Sequence, residues 1–277
     1  MSTFQVIIDS ILRVLSGVIP FSYSWASQLE EHFLHFSSKI EIDYLVTLIL
    51  CASFLIYFRF DWLGVISAFM KTIVQPKSIK SENRTLDQEV LIFLSAISIP
   101  NILIHHWLSP LIADVEFLNT PISDGILFLV SFGLLRFAAG WNRRVRGLNH
   151  LRSIDVIPIV LISILSIHPV FSLALVLWVG FCLTNYHYDA IFKYSMMLLG
   201  IRSFAHLFKM MGSVTISGAL ESVGHLNAIA MVVVCFTIIW MTIEHLQKNL
   251  SENTLRSFQW LSIFASLSSF ALHFLKG

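Results

Sequence analysis

Residues 154–181, IDVIPIVLISILSIHPVFSLALVLWVGF, constrain this chain more than any other stretch. The run is about 28 residues, too long for one helix that needs about 20 to cross a bilayer and too short for two. His168-Pro169 lies near its middle. Proline removes a backbone donor and pushes the preceding residue out of helical geometry. The stretch is expected to run in as a helix to Ile167, break at His168-Pro169, and return as a second helix. Broken backbone at membrane depth survives only under protein or beside water, so the rest of the chain should wrap the break. A single spanning helix kinked at Pro169 is the alternative.

Composition fits that setting. The chain has 277 residues, 56% hydrophobic and only 13% charged, with a net charge of +1. Its mean hydropathy is +0.77. Such a chain is expected to be an all-α polytopic membrane protein, with no nucleic-acid partner. Cys51, Cys182 and Cys235 lie singly in apolar segments, which indicates neither a disulfide framework nor a metal knuckle. No basic leader precedes the first apolar run, and Asp9 and Arg13 interrupt it, so no cleaved signal peptide is expected.

A second broken segment is expected at residues 4–38. Pro20 ends its first helix, and FSYSWASQLEEHFLHFSS returns as an amphipathic stretch. Asp9 and Arg13 are four apart and should pair on one helical face. Residues 42–58 read as a span, 63–74 as a surface helix, and 90–106 and 120–140 as spans. Spans are expected again at 188–211, 226–245 and 254–275. The basic loops at 71–87 and 142–152 lie two spans apart, and the positive-inside bias puts both in the cytoplasm with both termini outside. The two hairpins then enter from opposite faces. This predicts one membrane domain, 1–277, made of an inverted repeat: 1–140 with hairpin 4–38, and 153–277 with hairpin 154–185. About six transmembrane helices and two re-entrant hairpins result. Inverted repeats with broken helices recur where substrates are handled near the midplane.

This layout resembles the undecaprenyl-diphosphate phosphatases, the bacitracin-resistance membrane proteins. Near the front, ILRVLSGVIPFSYSWAS stands where that family has Glu-Gly-x-x-Glu-Phe-x-Pro-x-Ser-Ser-Thr-Gly-His, and Gly17 and Phe21 match. Ile99-Pro100 and NTPISDGILFLVSFGLL resemble further family segments. Pro169 falls on the proline of the family's Pro-Gly-x-Ser-Arg-Ser-Gly motif, and Ser172 and Gly180 stay in register. The resemblance implies two re-entrant hairpins within six spans, in a bacterial inner membrane.

The family's ionic groups are replaced. Its two glutamates are Ser16 and Pro20 here, and Trp25, Ala26, Ser27, Gln28 and Leu29 stand at the Ser-Ser-Thr-Gly-His positions. Leu173 replaces the phosphate-binding arginine. Thr47 and Ser163 stand for two glutamines, and Lys193 for a glutamate. Diphosphate hydrolysis needs a cation to hold several negative charges and a group to drive attack. The resemblance therefore implies a catalytically degenerate homologue that binds or translocates a polyprenyl-linked lipid or similar amphiphile, with no catalytic residue, metal or cofactor assigned. The partners implied are membrane lipid, polyprenyl phosphate among them. Two alternatives remain: a non-catalytic subunit of a larger envelope complex or homodimer, and an active phosphatase with a relocated site built on Asp189, Lys193 and His168.

Other polar residues are read beside these. E-E-H-x-x-H at residues 30–35 puts His32 and His35 on one face, as in a metal site, but also describes a helix lying at the interface, the preferred reading. His105-His106 is expected to end a span. His168 is a functional candidate at membrane depth or a hydrogen-bond partner for backbone freed by Pro169. Asp189 and Lys193, four apart, are expected to pair. Arg202, His206 and Lys209 form a basic stripe suited to a lipid phosphate or to interface anchoring.

Overall fold

A computed structural model describes residues 2–20, 22, 24–28, 39–75, 84–113, 115, 120–141, 145–148 and 150–276. The expectations for Phe21, Leu29, His32 and His35 lie outside these residues, as does most of the returning half of the first hairpin.

The described residues are helical, with no strand among them. In chain order the helices are α1 (Thr3–Val18), α2 (Ile40–Tyr57), α3 (Arg59–Val74), α4 (Leu86–Ala113) and α5 (Pro121–Gly140). After a loop come a 3-10 turn (Ser153–Asp155), α6 (Val156–Ser163) and a second 3-10 turn (Ile164–Ile167). Then follow α7 (Leu173–Leu183), α8 (Tyr188–Met210), α9 (Ile216–Val223), α10 (His225–Asn249) and α11 (Glu252–Lys276). Residues 24–28 add one helical turn after α1.

Four helices, α2, α4, α5 and α10, are long and apolar enough to cross a membrane. The expected spans at α8 and α11 have the length, 23 and 25 residues, but not that composition. α8 carries Asp189, Lys193, Arg202, His206 and Lys209. α11 turns Gln259, Ser262, Ser266 and Ser269 inward.

The long apolar run forms two helical arms that pack on each other, α6 with its 3-10 extension and then α7. A helix apolar on every side belongs in a core. α7 obeys this, with Val176, Trp178, Val179, Phe181 and Cys182 all fully buried. His168 at the break is extended, φ −80° and ψ 131°, as the residue before a proline must be. Ser172 then caps α7, its hydroxyl accepting from Leu175 N–H at 3.2 Å. Gly180 lets the arms approach, since a Cβ there would stand 3.2 Å from the Ile159 Cα.

Around this core, α1 packs on α10 and α6 on α4; α2 packs on α8, and α5 on α11. α2 also meets α10, and α8 meets α4. Polar groups pin the α5–α11 pair: Ser266 Oγ donates to the Gly125 carbonyl and Gln259 Nε2 to the Leu135 carbonyl. At the end where α6 begins, the turn between α7 and α8 is stitched to the preceding loop. Arg146 grips both Asp155 oxygens at 2.8 and 2.7 Å, and Tyr186 Oη donates to Asp155 Oδ2 at 3.0 Å.

Candidate functional site: a cavity between four helices

The two proline breaks meet. α1 stops at Val18, Ile19 is extended, and Pro20 follows. Ser22 Oγ donates to the Pro169 carbonyl at 3.1 Å and accepts from Trp25 N–H. The space where they touch, beside Pro20, Ser22, Trp25, Phe128 and Val170, is about 10 Å³, room for a single water. Among the described residues the breaks leave no room for a lipid between them.

One flank of this junction is polar. Asp124 Oδ2 accepts from Ser24 Oγ at 2.5 Å and from Gln28 Nε2 at 2.6 Å. Gln28 Oε1 in turn accepts from Ser269 Oγ, and Trp25 Nε1 donates to Ser268 Oγ. These bonds strap the turn at 24–28 to α5 and α11. His168 Nδ1 accepts from Val170 N–H at 3.3 Å, so the ring serves backbone that Pro169 leaves exposed. Ser27 also works locally, donating to the Ser24 carbonyl.

The larger space lies on the other side of α1. A cavity of about 370 Å³ opens between α1, α2, α4 and α8. Its polar lining is Arg13, Ser16, Thr47, His105, Arg202 and His206, with Asp43 and Ser203 beside them. Val46 and Leu50 are its apolar wall, and Gly17 lets α1 press close, a Cβ there standing 3.0 Å from Leu50 Cδ1.

The charges divide unequally. Arg13 is buried and doubly paired: Nε donates to Asp9 Oδ1 at 2.5 Å, and Nη1 to Asp43 Oδ1 at 2.8 Å. The expected Asp9–Arg13 pair is therefore present, and Asp43 extends it. His206 Nε2 lies 3.3 Å from the second Asp43 oxygen. Arg202 differs. It is half-buried, donates to Asn101 Oδ1 at 3.1 Å, and meets no carboxylate among the described residues. A desolvated guanidinium without a counter-charge is costly and attracts an anion. Among the described residues no three His, Cys, Asp or Glu gather as a metal site.

Five of the sequence candidates thus come together: Ser16, Gly17, Thr47, Arg202 and His206. Ser163 is one step away, its carbonyl within 3.5 Å of Asn101 Nδ2. Leu173 lines a small space of about 10 Å³ that Arg202 and Asn101 also line. Asp189 and Lys193 do not pair as expected. Lys193 Nζ reaches across to Asp61 Oδ1 at 2.5 Å, and exposed Asp189 sits by His187. With His168 held at the break, the trio Asp189, Lys193 and His168 forms no common site. α4 continues past His105-His106 to Ala113, and His105 lines the cavity instead of ending a helix.

Asp43, Asn101 and Ser203 were not singled out in the sequence. Asp43 carried a usable signal, one of two acids in the first turn of an apolar span. Asn101 and Ser203 carried none. Comparison of the sequence with protein-family models finds no match, and comparison with curated proteins finds none.

Proposed function

We propose that this chain is a bacterial inner-membrane protein built in the manner of the undecaprenyl-diphosphate phosphatases. It binds or translocates a polyprenyl-linked lipid without hydrolysing it. The lipid's phosphate enters the cavity between α1, α2, α4 and α8. One observation carries this reading: Arg202 stands in the cavity wall with an amide as its partner and no carboxylate among the described residues. Leu173, at the position of the family's phosphate-binding arginine, lines the same small space as Arg202. α8 therefore supplies the cation that the second hairpin lacks. Arg13 is already committed to two aspartates, so among the described residues Arg202 is the lining arginine left for a ligand. That balance suits a monophosphate better than a diphosphate.

The helix pairing supports an inverted repeat. Exchanging α1 with α6, α2 with α8, α3 with α9, α4 with α10 and α5 with α11 maps several of the contacts onto one another, though α1 on α2 and α2 on α9 have no such image. α1 on α10 becomes α6 on α4, and α2 on α10 becomes α8 on α4. α3 on α4 becomes α9 on α10. α2 with α8 and α5 with α11 each pack against their own counterpart, as elements beside a two-fold axis do. Arg84, Arg146 and Arg152 mark the end where α4 and α6 start. The positive-inside bias makes that end cytoplasmic. The cavity lies toward the ends of α4 and α8 and opens to the outer leaflet.

A second reading, a phosphatase with a relocated site, rests on His206 and Asp43. A carboxylate orients an imidazole beside Arg202, with Ser203 one turn away. Such a pair can take up or deliver a proton, or attack phosphorus.

One experiment separates the readings. Purified protein in nanodiscs is titrated with a polyprenyl monophosphate and the corresponding diphosphate, and inorganic phosphate release is followed. The expected result is tighter monophosphate binding, about ten- to a hundredfold weaker in Arg202→Ala, and no release above background. Monophosphate binding unchanged by Arg202→Ala refutes the first reading. Release abolished by His206→Ala or Asp43→Asn establishes the second.

A further inference from the structure

We propose a second, separate lipid site at the opposite end of the molecule, a pocket for the headgroup of an anionic phospholipid between the starts of α4 and α6. It shares with the preceding reading only the placement of the chain in a membrane. The pocket measures about 180 Å³. Arg84, Arg152 and Glu89 form its rim, and Phe93, Ala96 and Val156 its floor.

Arg152 is the residue that points to an anion. Its acidic neighbour in sequence, Asp155, is held by both oxygens on Arg146 and by Tyr186. Arg152 is exposed and has neither ion pair nor side-chain hydrogen bond among the described residues. Glu89 shares the rim but lies outside ion-pairing distance of Arg152.

Below the rim the surface is apolar. Ile92 and Ile157 line the pocket, and Ile154, Ile157 and Leu161 are 70%, 61% and 61% exposed along α6 and the turn before it. A cation above an exposed apolar strip fits a phosphodiester with its acyl chains lying along the protein. A soluble phosphate would leave that strip uncovered. Basic pockets at the cytoplasmic ends of membrane helices suit acidic lipids for this reason.

The test uses the full chain reconstituted in nanodiscs of phosphatidylglycerol mixed with phosphatidylcholine, with retained lipid read by native mass spectrometry. Wild type is expected to retain phosphatidylglycerol preferentially. Arg152→Ala should lower that retention about fivefold, from the value of one basic residue at an anionic surface. Arg152→Lys should keep most of it, and Lys248→Ala, at an exposed lysine outside the pocket, should leave it unchanged. An unchanged thermal midpoint in Arg152→Ala shows that any loss is not unfolding. Equal retention of the two lipids overturns the proposal, as does retention insensitive to Arg152→Ala. Loss in Lys248→Ala as large as in Arg152→Ala assigns the retention to general surface charge and equally overturns it. Full competition by glycerol phosphate replaces the lipid with a soluble ligand and does the same.

Discussion

Ser22 Oγ donates to the Pro169 carbonyl at 3.1 Å, joining two helix breaks that are 147 residues apart in the chain. Pro169 ends one arm of the apolar hairpin and Pro20 ends α1, and neither carries an N–H to offer the other. Their junction depends on a serine hydroxyl that also caps the next turn through Trp25 N–H.

Ser22→Ala should therefore remove two hydrogen bonds at once. The expected cost is about 1–2 kcal/mol, read as a lowered thermal midpoint in detergent. Ser22→Thr keeps the hydroxyl and should recover most of it. A midpoint unchanged by Ser22→Ala would mean that the breaks are held by packing alone.

The Asp9–Arg13–Asp43 triad is deeply placed, with the Asp9 side chain 0% exposed. Breaking one partner leaves a buried charge, at about 3–5 kcal/mol. Arg13→Met should be that damaging. Adding Asp9→Leu to it should restore much of the loss, because an apolar pair of similar volume needs no compensation. Thermal unfolding of the two single variants and the double measures the coupling directly.

Two glycines make opposite predictions. At Gly180 a Cβ meets the Ile159 backbone at 3.2 Å, whereas at Gly133 it meets nothing within 4 Å. Gly180→Val should push α6 from α7 and cost about 1–3 kcal/mol by overpacking. Gly133→Ala should be neutral or slightly stabilising. Equal midpoints for the two variants would argue against the close crossing of the hairpin arms.

Tyr186 sits in the turn between α7 and α8, fully buried, and burial together with the Asp155 carboxylate raises its phenol above the ordinary 10.0. The fold thus favours the protonated phenol. Its contribution is complete below pH 10 and is lost as pH rises from there toward the raised folded value. The midpoint of the wild type should fall with rising pH above about 10. In Tyr186→Phe that part of the fall should disappear, with a lower midpoint at neutral pH because Asp155 loses a donor.

Much of this architecture was legible in local chemistry. Proline fixed both breaks, since its missing donor acts wherever the chain goes. The spacing of Asp9 and Arg13 specified their pair, because residues four apart always share a helical face. Asp189 and Lys193 had the same spacing, yet Lys193 found Asp61 on α3. Local geometry allows such a pair but cannot exclude a better partner arriving from another helix.

By itself, then, the sequence determined the helical class, the positions where helices stop, and which residues carry charge. Only tertiary structure decided which of those charges are cancelled. Among the described residues, Arg13 acquires Asp43, 30 residues away, while Arg202 receives just Asn101, 101 residues away. Compensation is a property of neighbours in space, and packing brought α1, α2, α4 and α8 together around a cavity where Arg202 meets no carboxylate among the described residues. The room for a ligand arose in the same way: the breaks closed on each other, and the cavity formed where four helices with polar flanks failed to fill the space between them.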